Sequence, residues 1–311
     1  FKDCPDRLNV RQRMETPMAQ YSTNMHIHPD IESFFDPQTN TISYVVMDPG
    51  SASCAVIDSV MDIDYAAGRI TYEHADEIIA YIQKHKLKLE WLIETHVHAD
   101  HLSAAPYIQS KLGGKIGIGD QITVVQETFG KVFNEGTEFQ RDGSQFDKLL
   151  KDGDTYEIGG MTAFAMHTPG HTPACMVHVI GDAAFVGDTL FMPDGGSARA
   201  DFPGGDAGQL YDSIQKVLAL PDDMRLFMCH DYGPDGRDIM WETTVAEEKA
   251  ENIHVGKGKS RGEFIKFREA RDATLDVPKL ILPSLQVNMR AGDVPKSEDG
   301  KPMLKVPVNA I

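Results

Sequence analysis

Cysteine and tryptophan are scarce in this chain: four and two in 311 residues. Cys4, Cys54, Cys175 and Cys229 form no C-x-x-C pair, which argues against both a zinc ribbon and a disulfide framework. Reduced thiols in a cytoplasmic compartment are therefore expected, with Cys175 and Cys229 as buried structural residues. No apolar run approaches the roughly 18 residues of a membrane span, and no charged-then-apolar leader is visible. The chain opens on Phe1 rather than Met, so its natural start is expected to lie upstream. Basic residues are also short, 30 against 47 acidic, giving a net charge of −17. Nucleic acid is excluded as a partner, because phosphate binding needs a basic face. An anionic substrate would need a local cationic patch set against the overall field.

The rest of the composition, 41% hydrophobic and 25% charged, is that of a globular protein with ample length for a core. Residues 1–40 are polar and turn-rich. Thr41–Met47 and Ser53–Val60 read as a hairpin across the Asp48-Pro49-Gly50-Ser51 turn. Ala75, Ile78, Ile79 and Ile82 recur at helical spacing within Thr71–His85. Glu90–Glu94 reads as a strand, and Ala104–Leu112 as a helix stopped by Gly113-Gly114. After a strand at Lys115–Gly119, Asp120 is expected to cap a helix through Phe133, and 134–148 reads as a loop. Strands follow at Tyr156–Ile158, Thr162–Ala165, Cys175–Ile180 and Ala183–Val186. Helix Gln209–Leu218, strand Leu226–Cys229 and helices at Thr243–Asn252 and Arg261–Ala273 complete the body. From Val277 a proline-rich, polar tail is expected to wrap the surface. Two mixed halves of strands and helices fit an α+β sandwich of two sheets with helices outside. One domain over 1–311 is expected, with an extension from about 255.

Chemistry concentrates in Thr95-His96-Val97-His98-Ala99-Asp100-His101, directly after an apolar strand. Imidazole nitrogens and carboxylate oxygens are ligands for borderline divalent metals, and a turn at a strand end can aim several at one point. Matching partners recur where later apolar runs reach turns: His171 in T-P-G-H-T, Asp188 in G-D-T-L and His230 before Asp231-Tyr232. Gly170 is expected to serve the turn that delivers His171. His26, His28, His167 and His178 lie outside these blocks and read as structural.

These blocks, in this order, resemble the metallo-β-lactamase fold superfamily, which implies an αββα sandwich with a metal site at one edge. Two subfamilies use the same seven residues. In glyoxalase II-like thioesterases they hold two metals, His96, His98 and His171 on one, Asp100, His101 and His230 on the other, Asp188 bridging. In persulfide dioxygenases one iron sits on the positions matching His96, His171 and Asp188. Gly195-Gly196-Ser197-Ala198-Arg199-Ala200-Asp201-Phe202 is similar to the dioxygenase pattern G-x-x-R-x-D-F, although Gly-Gly-Ser-Ala replaces the Gly-Cys-Gly lead common in the wider group. The runs Arg268–Leu275 and Leu282–Gly292 resemble the β-lactamase-hydrolase-like branch of these dioxygenases.

The resemblance implies one Fe(II) per chain, with two zincs or a mixed zinc–iron pair as the alternative, and glutathione persulfide and O₂ as substrates. His98, Asp100, His101 and His230 would then support the site, with Asp100, His101 and His230 nearest the chemistry. Arg199 and Asp201 would pair beneath it. Arg290 and Arg261, followed by Lys257 and Lys259, are the cations expected to meet the glutathione carboxylates. Relatives of this kind imply a homodimer, although no exposed apolar stripe marks an interface.

Overall fold

The computed structural model describes residues 23–309; Cys4 and the first turn-rich residues lie outside them. The first half runs β1 (Asp30–Asp36), β2 (Thr41–Met47), β3 (Ser53–Ile57), β4 (Val60–Asp64) and β5 (Arg69–Thr71). It continues with α1 (Glu73–Lys84), β6 (Lys88–Ile93), β7 (Leu102–Ser103), α2 (Ala105–Leu112), β8 (Lys115–Gly119), α3 (Ile122–Val132) and β9 (Lys148–Leu150). The second half holds β10 (Thr155–Ile158), β11 (Met161–His167), β12 (Met176–Ile180), β13 (Ala183–Phe185), α4 (Ala207–Leu218) and β14 (Arg225–Phe227). It ends with β15 (Glu242–Thr244), α5 (Val245–Glu251), α6 (Arg261–Asp272) and α7 (Ile281–Asn288).

Two six-stranded sheets result, ordered β1-β2-β3-β6-β8-β9 and β10-β11-β12-β13-β14-β15. Ile42, Tyr44, Ile57, Ile93, Ile158, Phe185 and Phe227 fill the space between them. A second core packs the first sheet against α1, α2, α3 and α7, and a third packs the other sheet against α4, α5 and α6. The layers are therefore helix, sheet, sheet, helix. β2 is buried along nearly its whole length because both of its faces are covered, one by each neighbouring layer.

Several elements differ from the sequence expectation. The strand expected to reach Val60 breaks at Asp58, whose φ of 51° turns the chain, and β4 starts beyond it. β1 lies in the stretch read as turn-rich and pairs antiparallel with β2. Asp120 does not cap α3: Gln121 holds that position, without a side-chain cap. The tail does not merely wrap the surface, because α7 sits in the second core, against the first sheet. The three described cysteines are buried and unbridged, as their spacing suggested. No described helix is long and apolar enough to cross a membrane.

Candidate metal centre

Four chain turns meet at one edge of the sandwich. His96, His98, Asp100 and His101 follow β6; His171 lies between β11 and β12; Asp188 follows β13; His230 follows β14. The two sheets are stitched together here, Met176 N–H to Thr95 O at 2.8 Å and Ile42 N–H to Cys229 O at 2.7 Å. Gly170 has a φ of 138°, and a Cβ on it would stand 2.2 Å from the Leu210 nitrogen. Only glycine lets the His171 turn pass so close to α4.

Each histidine has one ring nitrogen tied down and the other aimed at the shared space. His171 Nδ1 donates to Arg199 O at 2.7 Å, and His230 Nδ1 to Asn40 O at 3.2 Å. Thr95 Oγ1 donates to Asp58 Oδ2 at 2.8 Å and so accepts from His96 Nδ1 at 3.0 Å. His98 is turned the other way, with Nε2 facing Asp58 Oδ1 at 3.0 Å and Glu94 Oε2 at 3.4 Å. Partners of this kind fix the tautomer and leave a lone pair on the opposite nitrogen.

Those lone pairs meet no protein donor. His96 Nε2, His98 Nδ1, His101 Nε2, His230 Nε2 and Asp188 Oδ1 are buried without a hydrogen-bond partner. A buried polar atom left unpaired costs about 1–3 kcal/mol, so five in one place call for a cation. Burial, reinforced by the neighbouring imidazoles, holds His96 well below its ordinary pKa. His101 is pushed down to about 3, chiefly by burial. Both rings are therefore neutral and able to ligate. Burial works against the Asp58 carboxylate, but the His98 imidazole and the Thr95 donors outweigh it and hold it at about 2.

His96, His171 and Asp188 present donor atoms within 4.8 Å of one another. His171 Nε2 lies 3.5 Å and His96 Nε2 3.9 Å from Asp188 Oδ2. The other oxygen of Asp188 faces His230 Nε2 at 3.4 Å, and Asp100 Oδ2 approaches that nitrogen to 3.1 Å. His98, His101, Cys229 and His230 make a second cluster of donors. The residues thus fit one divalent ion on two histidines and a carboxylate, with donors for a second ion beside it.

Sequence reasoning missed the residues that hold this arrangement. Asp58 and Glu94 are single acids in apolar surroundings, with no motif to mark them. Asn288 on α7 donates to His98 O and His101 O, both at 2.8 Å, and accepts from Ser103 N–H at 2.8 Å. Tyr232 stacks on His230 with ring centroids 6.1 Å apart.

A cleft of about 1000 Å³ opens from Asp100, His171 and Asp188. Arg199 lies on it and pairs with Asp201 at 2.6 and 2.8 Å. Neither Arg290 nor Arg261 lines the cleft. Arg290 is committed to Glu135 at 2.8 Å and stacks over Phe139, while Arg261 pairs with Asp212 at 3.0 Å. Lys257 faces Glu251 at 3.5 Å, and Lys259 donates to the Ile253 carbonyl. Among the other histidines, His178 is buried in β12 beside Tyr156, and His28 pairs with Asp182 at 2.7 Å. His167 bonds Pro173 O.

Behind the cleft, burial pushes the Glu248 carboxyl up to about 8 against the Asn252 hydrogen bond, and its Oε1 has no partner. The unfolded chain releases this proton near 4.5. The stability tied to the protonated form is therefore full below about pH 4.5 and lost as pH rises through about 8. Replacing Glu248 with Gln should leave urea stability nearly unchanged at pH 4.5 and raise it by about 4 kcal/mol at pH 8. An equal gain at both pH values would contradict this account.

Fold and centre together define an αββα sandwich with a candidate metal centre at the sheet edge. The chain belongs to the metallo-beta-lactamase superfamily, whose family model matches residues 37–230. It is 56% identical to a probable metallo-hydrolase of Burkholderia pseudomallei, over 90% of this chain and 99% of that one. It is 45% identical to glyoxylase B2 of Dictyostelium discoideum, over 90% and 97%. A β-lactamase hydrolase-like protein of Agrobacterium fabrum is 50% identical over 91% of this chain, which spans only 65% of that protein's length. Human mitochondrial persulfide dioxygenase ETHE1 is 29% identical over 84% and 88%. The crystal structure of ETHE1 from Myxococcus xanthus superposes with a TM-score of 0.68 at 29% identity, covering 85% of this chain and all of that one.

Proposed function

We propose that the protein is a glutathione-dependent persulfide dioxygenase with one Fe(II) on His96, His171 and Asp188. The observation that supports this most is the set of two histidines and one carboxylate with donor atoms within 4.8 Å. Iron on such a facial triad supplies the redox chemistry that O₂ requires while leaving the cleft side open. The overall change is persulfide, O₂ and water to glutathione, sulfite and two protons. The chain's own part is positional. Arg199 O and Thr95 Oγ1 fix the His171 and His96 rings, Asp58 fixes Thr95 and His98, and Phe191 and Tyr232 wall the cleft beside His230. The ETHE1 likeness in sequence and structure supports the same reading.

The second reading is a dinuclear metal hydrolase of glutathione thioesters, with Asp100, His101 and His230 on a second ion and a bridging hydroxide as nucleophile. The approach of Asp100 and Asp188 to His230 favours it, as do the metallo-hydrolase and glyoxylase names of close relatives. Metal analysis of anaerobically purified protein, combined with an oxygen electrode, separates the two. One iron per chain and O₂ uptake on adding glutathione persulfide is the expected result. Two zincs, no O₂ uptake and rapid hydrolysis of S-lactoylglutathione would establish the hydrolase instead.

A further inference from the structure

Three imidazoles and one thiol converge behind the cleft, and neither reaction considered above uses them as one set. His98, His101, Cys229 and His230 offer ligand atoms that all lie within 4.8 Å of one another. They are 0, 0, 2 and 1% exposed. None of the four lines the cleft, whereas Asp100, His171 and Asp188 do. The four donors are closed off where the others are open.

Each of the three rings has one nitrogen tied and the other free. His98 Nε2 donates to Asp58 Oδ1 at 3.0 Å, His101 Nδ1 faces Leu102 O at 3.4 Å, and His230 Nδ1 donates to Asn40 O at 3.2 Å. The opposite nitrogens, His98 Nδ1, His101 Nε2 and His230 Nε2, are buried without a hydrogen-bond partner. Outer partners of this kind orient a histidine for a metal and raise its basicity.

The thiol is placed with equal firmness. The Cys229 carbonyl accepts Ile42 N–H at 2.7 Å, and Thr41 bridges to His230 directly after it, so β2 holds both residues. Burial, then the Asp58 carboxylate, raises the thiol well above its usual range. A bound cation takes the place of that proton, which leaves to solvent.

Donor chemistry selects the ion. A thiolate among imidazoles favours zinc, which also stands above iron in the order of affinities for such donors. Closed sites with four protein ligands are the form in which zinc ties chain segments together, while catalytic zinc keeps one position open.

We propose that His98, His101, Cys229 and His230 form a closed, four-coordinate site for zinc, separate from the open set of His96, His171 and Asp188. The ion ties the histidine loop after β6 to the turn after β14, and so fastens the two sheets at the edge where the cleft lies. Its anionic donor is Cys229, where the second ion of a dinuclear hydrolase would use Asp100. The site is independent of which reaction the cleft carries out.

Protein loaded anaerobically with one equivalent of Fe(II) is given one equivalent of zinc, and X-ray absorption at the zinc edge reads the surroundings of that ion alone. One sulfur at about 2.3 Å and three nitrogens at about 2.0 Å should appear, with iron content unchanged. Cys229→Ser should lose the sulfur and hold zinc at least about tenfold less tightly against a chelator, with iron retained. Asp100→Asn and Cys175→Ser should both keep the zinc and its sulfur. The unaltered protein alone can decide: zinc surrounded only by nitrogen and oxygen overturns the proposal. Sulfur that persists in Cys229→Ser overturns it too, and so does loss of zinc from Asp100→Asn. Absence of O₂ uptake on adding glutathione persulfide, with the zinc–sulfur signal intact, removes only the dioxygenase reading and supports the zinc site.

Discussion

Replacing Asp188 with Asn should strip the protein of its metal and lower turnover by on the order of 10³-fold, while the metal-free protein keeps its melting temperature. Asp188 is the one carboxylate in the set with His96 and His171, so a bound dication would lose its only compensating charge there. Breaking a buried charge pair costs about 3–5 kcal/mol, which is about 10²- to 10⁴-fold in metal retention. The metal-free fold draws little from this side chain, whose Oδ1 has no hydrogen-bond partner and whose Oδ2 stands 3.5 Å from His171 Nε2 and 3.9 Å from His96 Nε2. Elemental analysis and melting with and without chelator read the effect. The unaltered protein should lose stability on chelation, and the Asn variant should be indifferent to it. Full iron content in the variant would remove Asp188 from the ligand set.

The second large effect is expected at Asp58. Its carboxylate receives Thr95 N–H and Oγ1–H, both at 2.8 Å, and His98 Nε2–H at 3.0 Å. Asp58→Ala leaves the two Thr95 donors unpaired, at about 1–3 kcal/mol each, leaves His98 Nε2–H only Glu94 Oε2 at 3.4 Å, and puts alanine at a φ of 51°. A drop in melting temperature of about 10 °C follows, at about 2–4 °C per kcal/mol for a protein of this size. Metal affinity should fall as well, because His96 and His98 lose the partners that set their tautomers. Asp58→Asn keeps the turn and part of the acceptor capacity, and should lose less than half as much stability. A melting temperature within 2 °C of the original for Asp58→Ala would show that the acid is not what holds the histidine loop.

The readable parts of the sequence were those where burial has a period or chemistry has a motif. α1 shows its buried face at Ala75, Ile78, Ile79 and Ile82, and the metal residues are chemically conspicuous at the ends of apolar strands. α7 offers no period, since every residue but Leu282 is buried and Pro283 sits in its first turn, where a missing N–H costs nothing. β1 was hidden because its register depends on β2 rather than on its own mixed pattern. Asp58, Glu94 and Asn288 are single polar residues whose meaning depends on what the fold brings beside them. Arg290 was expected to meet a substrate carboxylate, but the fold holds it against Glu135 and Phe139.

The clamp of Asn288 on His98 O and His101 O sets an order of completion. A chain emerging from the ribosome has made all seven candidate metal residues once residue 230 is out, yet the carbonyls of the histidine loop wait another 58 residues for their anchor. The centre is thus fully written well before its anchor exists. A metal ion offered early would meet a loose loop; one offered after α7 docks would meet a rigid one.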